Sequence, residues 1–168
     1  LEKAHAVLMS GLIDNAGKLR TTNVGIVKGS KVENVAPSGT MVNGLMKDLF
    51  AYLKKDNDLI LIKSCVFHYE FEFIHPFLDG NGRMGRLWQT LILMQQYPVF
   101  EYLPVESLIK QKQSDYYNKL SESDKKGNST PFIEFMLEIF LESLEGLLQS
   151  QSVTLHTEDR MRLFAAKI

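Results

Sequence analysis

A chain of 168 residues with 45% hydrophobic and 23% charged side chains has the size and composition of one globular domain with a substantial core. A formal net charge of -1 excludes broad, phosphate-driven binding of nucleic acid, although a local basic patch stays open. No apolar run reaches bilayer-spanning length, no basic-then-apolar leader opens the sequence, and the single Cys65 has no partner for an internal disulfide. These features lead us to expect a cytoplasmic protein with no membrane association and with Cys65 as a buried thiol.

The chain starts at Leu1 without Met, already inside a helical pattern (Leu1, Ala4, Val7, Leu8), and this start reads as a fragment or processed form of a longer chain. The first helix is expected to end at the turn-rich Asp14-Asn15-Ala16-Gly17. Val24 to Val35 then offers two short β-branched runs around Lys28-Gly29-Ser30, which predicts a hairpin ending at Ala36-Pro37. One hairpin has too little sheet for its own core, so it must lie on something else, either as a movable element or as a mere connector. From Thr40 to Leu53 the spacing of Met41, Leu45, Leu49 and Leu53 predicts a helix capped by Thr40 or Ser38. Asp56 or Asn57 is the expected cap of a second helix running to about Ile74. It is apolar on most sides (Leu59, Ile60, Val66, Phe67, Phe71, Phe73), which places it centrally.

A polar stretch follows, Ile74-His75-Pro76-Phe77-Leu78-Asp79-Gly80-Asn81-Gly82-Arg83-Met84-Gly85-Arg86, and leads into a helix from about Arg83 to Tyr97 that Pro98 ends. Glu101 to Pro104 is expected to be irregular, Val105 to Leu120 helical and Ser121 to Pro131 a surface loop. Phe132, Phe135, Met136, Ile139, Phe140, Leu144 and Leu147 mark one face of a long helix. Gln149 to Ser152 reads as a linker and Thr157 as the cap of a last short helix, so the core is expected over 1–150 with an appendage at 151–168. The fold class that results is all-α with one hairpin.

The polar stretch has its own chemistry. Gly80 and Gly82 permit backbone geometries in which successive N–H groups point at one anion, and the helix that starts there adds its positive end. Arg83 and Arg86 project from one side of its first turn. Two cations at a helix N-terminus oppose the dipole, so they imply a polyanion such as a di- or triphosphate; a glycine turn whose arginines pair with glutamates is the plainer alternative. Asp79 would repel phosphate unless a Mg²⁺ bridged them, or else it caps the helix. Asn81 either donates to a phosphate oxygen or adopts a left-handed turn. His75 is placed to act as a general base, although a histidine before proline is more often structural. Rival motifs fail: there is no Walker loop, no βαβ dinucleotide fingerprint, no complete calcium loop, and no zinc partners for Cys65 and His68. His68 reads as a core hydrogen bonder, and His5 and His156 as surface residues.

The stretch from His75 to Arg86 matches HxFx[DE]GNGRxxR at every specified position, and on it the chain resembles the Fic family. The likeness extends from about Gly17-x-x-Arg20 through the hairpin to Tyr116-Tyr117 and Pro131-Phe132. It implies an all-helical Fic-type bundle with a β-hairpin flap, and transfer of AMP from ATP to a Ser, Thr or Tyr hydroxyl of a target protein with release of pyrophosphate. In that picture His75 is the base, and Asp79 holds Mg²⁺ on the α- and β-phosphates. Gly80, Asn81 and Gly82 form the anion hole, and Arg83 and Arg86 grip the outer phosphates. Lys31, Val32, Glu33 and Asn34 of the flap register the target and border the nucleotide, while Tyr116 and Tyr117 line its base or sugar. Many members are restrained by an [ST]xxxE[GN] glutamate, but Glu145-Gly146 has Leu141 at the hydroxyl position, and Glu134 and Glu158 lack the following Gly or Asn. The restraint is then expected upstream, on an antitoxin-like partner, or nowhere. The alternatives are the same fold with UMP, phosphoryl or phosphocholine transfer or AMP removal, and a nucleotide-binding module without turnover.

Overall fold

The computed structural model describes residues 1–28, 31–55 and 58–165, the side chains of 26–28, 31–35 and 151–165 excepted. The elements are α1 (Glu2–Leu8), β1 (Gly25–Lys28), β2 (Lys31–Val35), α2 (Val42–Leu53), α3 (Ile60–Ile74), α4 (Asn81–Met94), a 3-10 turn at Pro98–Glu101, α5 (Val105–Gln111), α6 (Gln113–Lys126) and α7 (Thr130–Ala165). The all-α expectation holds, with an antiparallel β1–β2 hairpin as the one sheet among the described residues. Its register pairs Gly25 with Val35 and Lys28 with Lys31, with an irregularity between Ile26 and Val27. The expected turn residues Gly29 and Ser30, and the expected caps Asp56 and Asn57, lie outside the described residues.

The near-continuous apolar character of α3 has a direct cause, since α3 faces two cores. Phe67, Phe71 and Ile74 pack with Val42, Met46 and Leu49 of α2, Met84 and Ile92 of α4, and Phe77. Cys65 and Tyr69, on the other side, pack with Ile109, Tyr116, Phe132, Met136 and Phe140 from α5 to α7. A helix buried on both sides needs no polar stripe, and this one sits at the centre as its composition predicts. Its C-terminal end and the N-terminal end of α4 therefore emerge side by side between the two cores. Among the described residues, no helix is long and apolar enough to cross a membrane.

Four local expectations are corrected. The α2 N-cap is Met41, with no side-chain cap from Ser38 or Thr40. The helix expected over Val105 to Leu120 breaks at Lys112 (φ -101°, ψ 31°) into α5 and α6. The loop expected from Ser121 is helical to Lys126, because Glu122 pairs with both Lys119 and Lys126 on the solvent side and Gly127 in the left-handed conformation supplies the stop. The linker at Gln149 to Ser152 is continuous helix within α7. Glutamine and serine there carry no glycine or proline to end it. The side chains of Thr157 and His156 are outside the described residues.

Candidate functional site

The six residues between α3 and α4 follow a path that regular backbone bonding does not define. His75 closes α3 in the left-handed region (φ 50°, ψ 61°), which is costly for a residue with a Cβ. Gly80 (φ 82°) turns the chain into α4 as its N-cap. Side chains fix the path between them. The Asn81 side-chain oxygen accepts from the Phe77 N–H and its amide donates to the Phe77 carbonyl, both at 2.8 Å. The buried Arg20 donates to the carbonyls of Ile74, His75, Thr22 and Pro37 at 2.7–2.9 Å, tying the end of α3 to both flanks of the hairpin. His5 donates from Nε2 to the Asp79 carbonyl at 2.9 Å and stacks on Phe77 with ring centroids 3.6 Å apart.

The expectation for His5 is therefore corrected: it is fully buried beneath this loop, not on the surface. Phe77 and Asp79 lie 72 and 74 positions away from it, so no local pattern reveals these two contacts. Asn81 is corrected in a different way. Its side-chain amide bonds to Phe77, and as the first residue of α4 it does not adopt the left-handed turn conformation.

Above the loop opens a cavity of about 440 Å³, bordered by His75, Asp79, Gly80, Asn81, Gly82, Arg83, Arg86, Glu72, Tyr116 and Tyr117, with Gly25 of the hairpin at its edge. The expected cluster is thus assembled in one place. Of the flap residues Lys31, Val32, Glu33 and Asn34 only the backbone, in β2, is described; their side chains lie outside the described residues. The first turn of α4, whose N–H groups have no intrahelical partners, borders this space and contains no acidic residue. Arg83 stands 3.9 Å from Asp79. Arg86 donates from Nε to Glu106 of α5 at 3.1 Å, a partner that sequence reasoning did not single out. Glu106 is 72% exposed, so the pair is solvent-screened and readily exchanged for a stronger anion.

His75 donates from Nδ1 to the Glu72 carbonyl at 3.4 Å, because a carbonyl can only accept. That tautomer leaves Nε2 with the free lone pair. Burial, with a smaller contribution from Arg20, holds the imidazole below its usual pKa, so it is neutral near pH 7. Tyr116 is buried and its hydroxyl meets His68 Nε2 at 3.1 Å, while His68 Nδ1 donates to Gln89 at 2.8 Å. His68 is thus the core hydrogen bonder expected, and burial drives its pKa down to about 3. Tyr116 lines the cavity from a fixed position and Tyr117 from a half-exposed one.

Among the described residues no group of three or more His, Cys, Asp or Glu could hold a metal ion by itself. Asp79 offers one carboxylate, 63% exposed, beside the α4 N-terminus. A single carboxylate beside an anion cradle fits Mg²⁺, which takes one or two protein carboxylates and completes its shell with phosphates and water, and does not fit a transition-metal cage.

A family model described as "Fic/DOC family" matches residues 1–93. Among curated relatives, the protein adenylyltransferase fic-1 of Caenorhabditis elegans is 30% identical over 139 residues, covering 81% of this chain and 25% of that protein. The protein adenylyltransferase Fic of Nematostella vectensis is 29% identical over 144 residues, covering 82% and 30%. The chain thus spans about a quarter of the length of these relatives. Among solved structures, a Fic family protein from Desulfovibrio desulfuricans G20 superposes with a TM-score of 0.85 at 46% identity, over 90% of this chain and 48% of that one. Fic-1 of C. elegans superposes with a TM-score of 0.71 at 22% identity, over 91% and 43%, a likeness of fold.

Proposed function

The chain belongs to the Fic/DOC family, and from that premise we propose that it is a protein adenylyltransferase, moving AMP from ATP–Mg²⁺ to a hydroxyl of a target protein. The observation that carries the reading is the convergence of a neutral, cavity-lining imidazole with the glycines and arginines of the α4 N-terminus around one cavity. The names of the curated relatives support a nucleotidyl transfer over a phosphoryl transfer.

The α-phosphate sits over the N–H groups of the first turn of α4, where fixed dipoles meet the charge that develops on its oxygens. Arg83 and Arg86 hold the β- and γ-phosphates, and Arg86 exchanges Glu106 for them. Asp79 would hold Mg²⁺, which would supply charge neutralisation along the phosphates. His75 Nε2 takes the proton from the incoming hydroxyl as its oxygen bonds to the α-phosphorus. The bond from that phosphorus to the bridging oxygen breaks, and pyrophosphate leaves. Tyr116 and Tyr117 border the base or sugar, and β2, with Lys31, Val32, Glu33 and Asn34, lines up the target segment through strand-like pairing. The target is a protein bearing Ser, Thr or Tyr.

Incubation with α-³²P-ATP, Mg²⁺ and a lysate, wild type beside His75→Ala, tests the reading. Label on protein, including self-labelling, is expected with wild type and reduced about 10²–10⁴-fold in the variant. Label from γ-³²P-ATP instead, or none that depends on His75, refutes it.

A further inference from the structure

The motif does not account for α1. It is a helix of seven residues, too short to persist without tertiary contacts, yet His5 within it and Met9 at its C-cap are completely buried under the loop that carries Asp79. Met9 places Sδ 2.7 Å from where a Cβ on Gly80 would stand, so it occupies the room that glycine leaves. His5, one turn earlier, stacks on Phe77 with the ring planes only 4° apart.

The polar contacts of His5 resolve its tautomer. The Gly17 N–H donates to Nδ1 at 2.8 Å, so Nδ1 carries no proton. Nε2 therefore carries it and donates to the Asp79 carbonyl at 2.9 Å. One neutral tautomer satisfies both partners.

The consequence runs through one peptide unit. In a planar trans peptide the carbonyl of Asp79 and the N–H of Gly80 point in opposite directions. A carbonyl held down toward α1 thus sends the Gly80 N–H up, away from the core. There it donates to Asp79 Oδ1 at 2.6 Å. Oδ1 is then occupied, while Oδ2 is left toward Arg83 at the cavity rim. We propose that His5 is a positioning residue for Asp79, setting the plane of the Asp79–Gly80 peptide so that its N–H orients the carboxylate toward the cavity. This rests on the reading of Asp79 as the Mg²⁺ carboxylate of an ATP site. It adds a residue from a separate helix, far outside the motif, to that site.

The test compares wild type, His5→Phe and His5→Gln by calorimetry, titrating ATP with Mg²⁺ and ATP with a chelator, with melting curves alongside. Phenylalanine keeps the stack on Phe77 and removes both hydrogen bonds, whereas glutamine keeps a donor for the Asp79 carbonyl. Loss of an outer partner of a metal ligand typically lowers metal affinity about 10–100-fold. His5→Phe is expected to weaken ATP binding about 10-fold with Mg²⁺ and leave chelator-state binding unchanged, and His5→Gln to recover part of the loss. Unchanged binding with Mg²⁺ in folded His5→Phe overturns the proposal, as does an equal loss with and without metal. Where His5→Phe does not fold, His5→Gln decides by the same comparison, and failure of both to fold assigns His5 to stability alone. A wild-type chain that binds ATP no better with Mg²⁺ than without overturns the ATP–Mg²⁺ reading itself, and the role of His5 with it.

Discussion

Replacing Glu72 with glutamine isolates one buried ionisation beside the site. The Glu72 side chain is 12% exposed, and its Oε1 has no hydrogen-bond partner. A Cβ on Gly85 would lie 2.8 Å from that oxygen, so α4 packs directly onto the carboxyl at a glycine. Burial pushes its pKa from the ordinary 4.5 up to about 7, with Arg86 pulling the other way. The folded carboxyl thus keeps a proton that the unfolded chain releases between those two values. Stability falls as pH rises through that window, by at most about 1.4 kcal/mol per pH unit. Below the window the carboxyl is neutral in both states and costs nothing. Above it the full penalty stays, with an upper limit of about 3 kcal/mol. Arg86 can turn toward the carboxylate as it ionises, so about 2 kcal/mol is the expected magnitude. Urea unfolding of wild type and Glu72→Gln at pH 5, 6, 7 and 8 reads it directly. Any difference between the buried amide and the protonated acid is an offset independent of pH. The variant is expected to gain about 2 kcal/mol on wild type between pH 5 and pH 8. Parallel stability profiles would refute the reasoning.

Two further outcomes follow from side chains near the cavity. Glu106→Ala frees Arg86 from an exposed ion pair of the kind worth about 0.2–1 kcal/mol, so ATP affinity is expected to rise at most about fivefold in calorimetry while AMP affinity stays level. A fall in ATP affinity would mean that Glu106 holds Arg86 in its productive position. Cys65 is fully buried and its thiol is pushed up to about 12, chiefly by burial, so a disulfide reagent at pH 8 should label the native chain only as fast as it unfolds. Rapid labelling without denaturant would contradict the packing between α3 and α7.

What could be read from the sequence depended on how far apart the interacting residues are. Gly80, Asn81, Gly82, Arg83 and Arg86 fall within one short stretch of sequence, and their types single out the cluster that borders the cavity before any fold is known. The centrality of α3 was equally legible, because a helix facing two cores loses its polar side. His5 was not, since its burial comes from the Asp79 carbonyl and the Phe77 ring across more than seventy residues. Arg20 entered only through a family likeness, although its guanidinium donates to four backbone carbonyls that join the end of α3 to the flanks of the hairpin. The polar run after Ser121 misled for a local reason: its charges pair along a helix surface, and polarity alone does not separate that from a loop. Arg86 and Glu106 are twenty residues apart, and the bend at Lys112 that separates α5 from α6 carries no glycine or proline to announce it.

The local rules this chain breaks are concentrated between Glu72 and Arg86. His75 adopts a left-handed conformation that costs a non-glycine residue on the order of 1–3 kcal/mol. Two arginines face the positive end of α4 with no acidic residue in its first turn. One buried carboxyl oxygen, Glu72 Oε1, has no hydrogen-bond partner. None of these helps the apo fold, and the remaining structure must hold them in place. The buried Arg20 does so for His75 by taking the carbonyls of Ile74 and His75, and His5 does so for Asp79. Binding of a polyphosphate would reverse the sign of the arginine conflict, since the two cations and the helix dipole would then act on one anion together. Ligand-dependent stabilisation should therefore be larger for ATP–Mg²⁺ than for AMP, because in the proposed binding mode only the outer phosphates reach Arg83 and Arg86. A melting shift at equal saturation that is the same for both nucleotides would place the conflict, and its relief, somewhere other than at these two side chains.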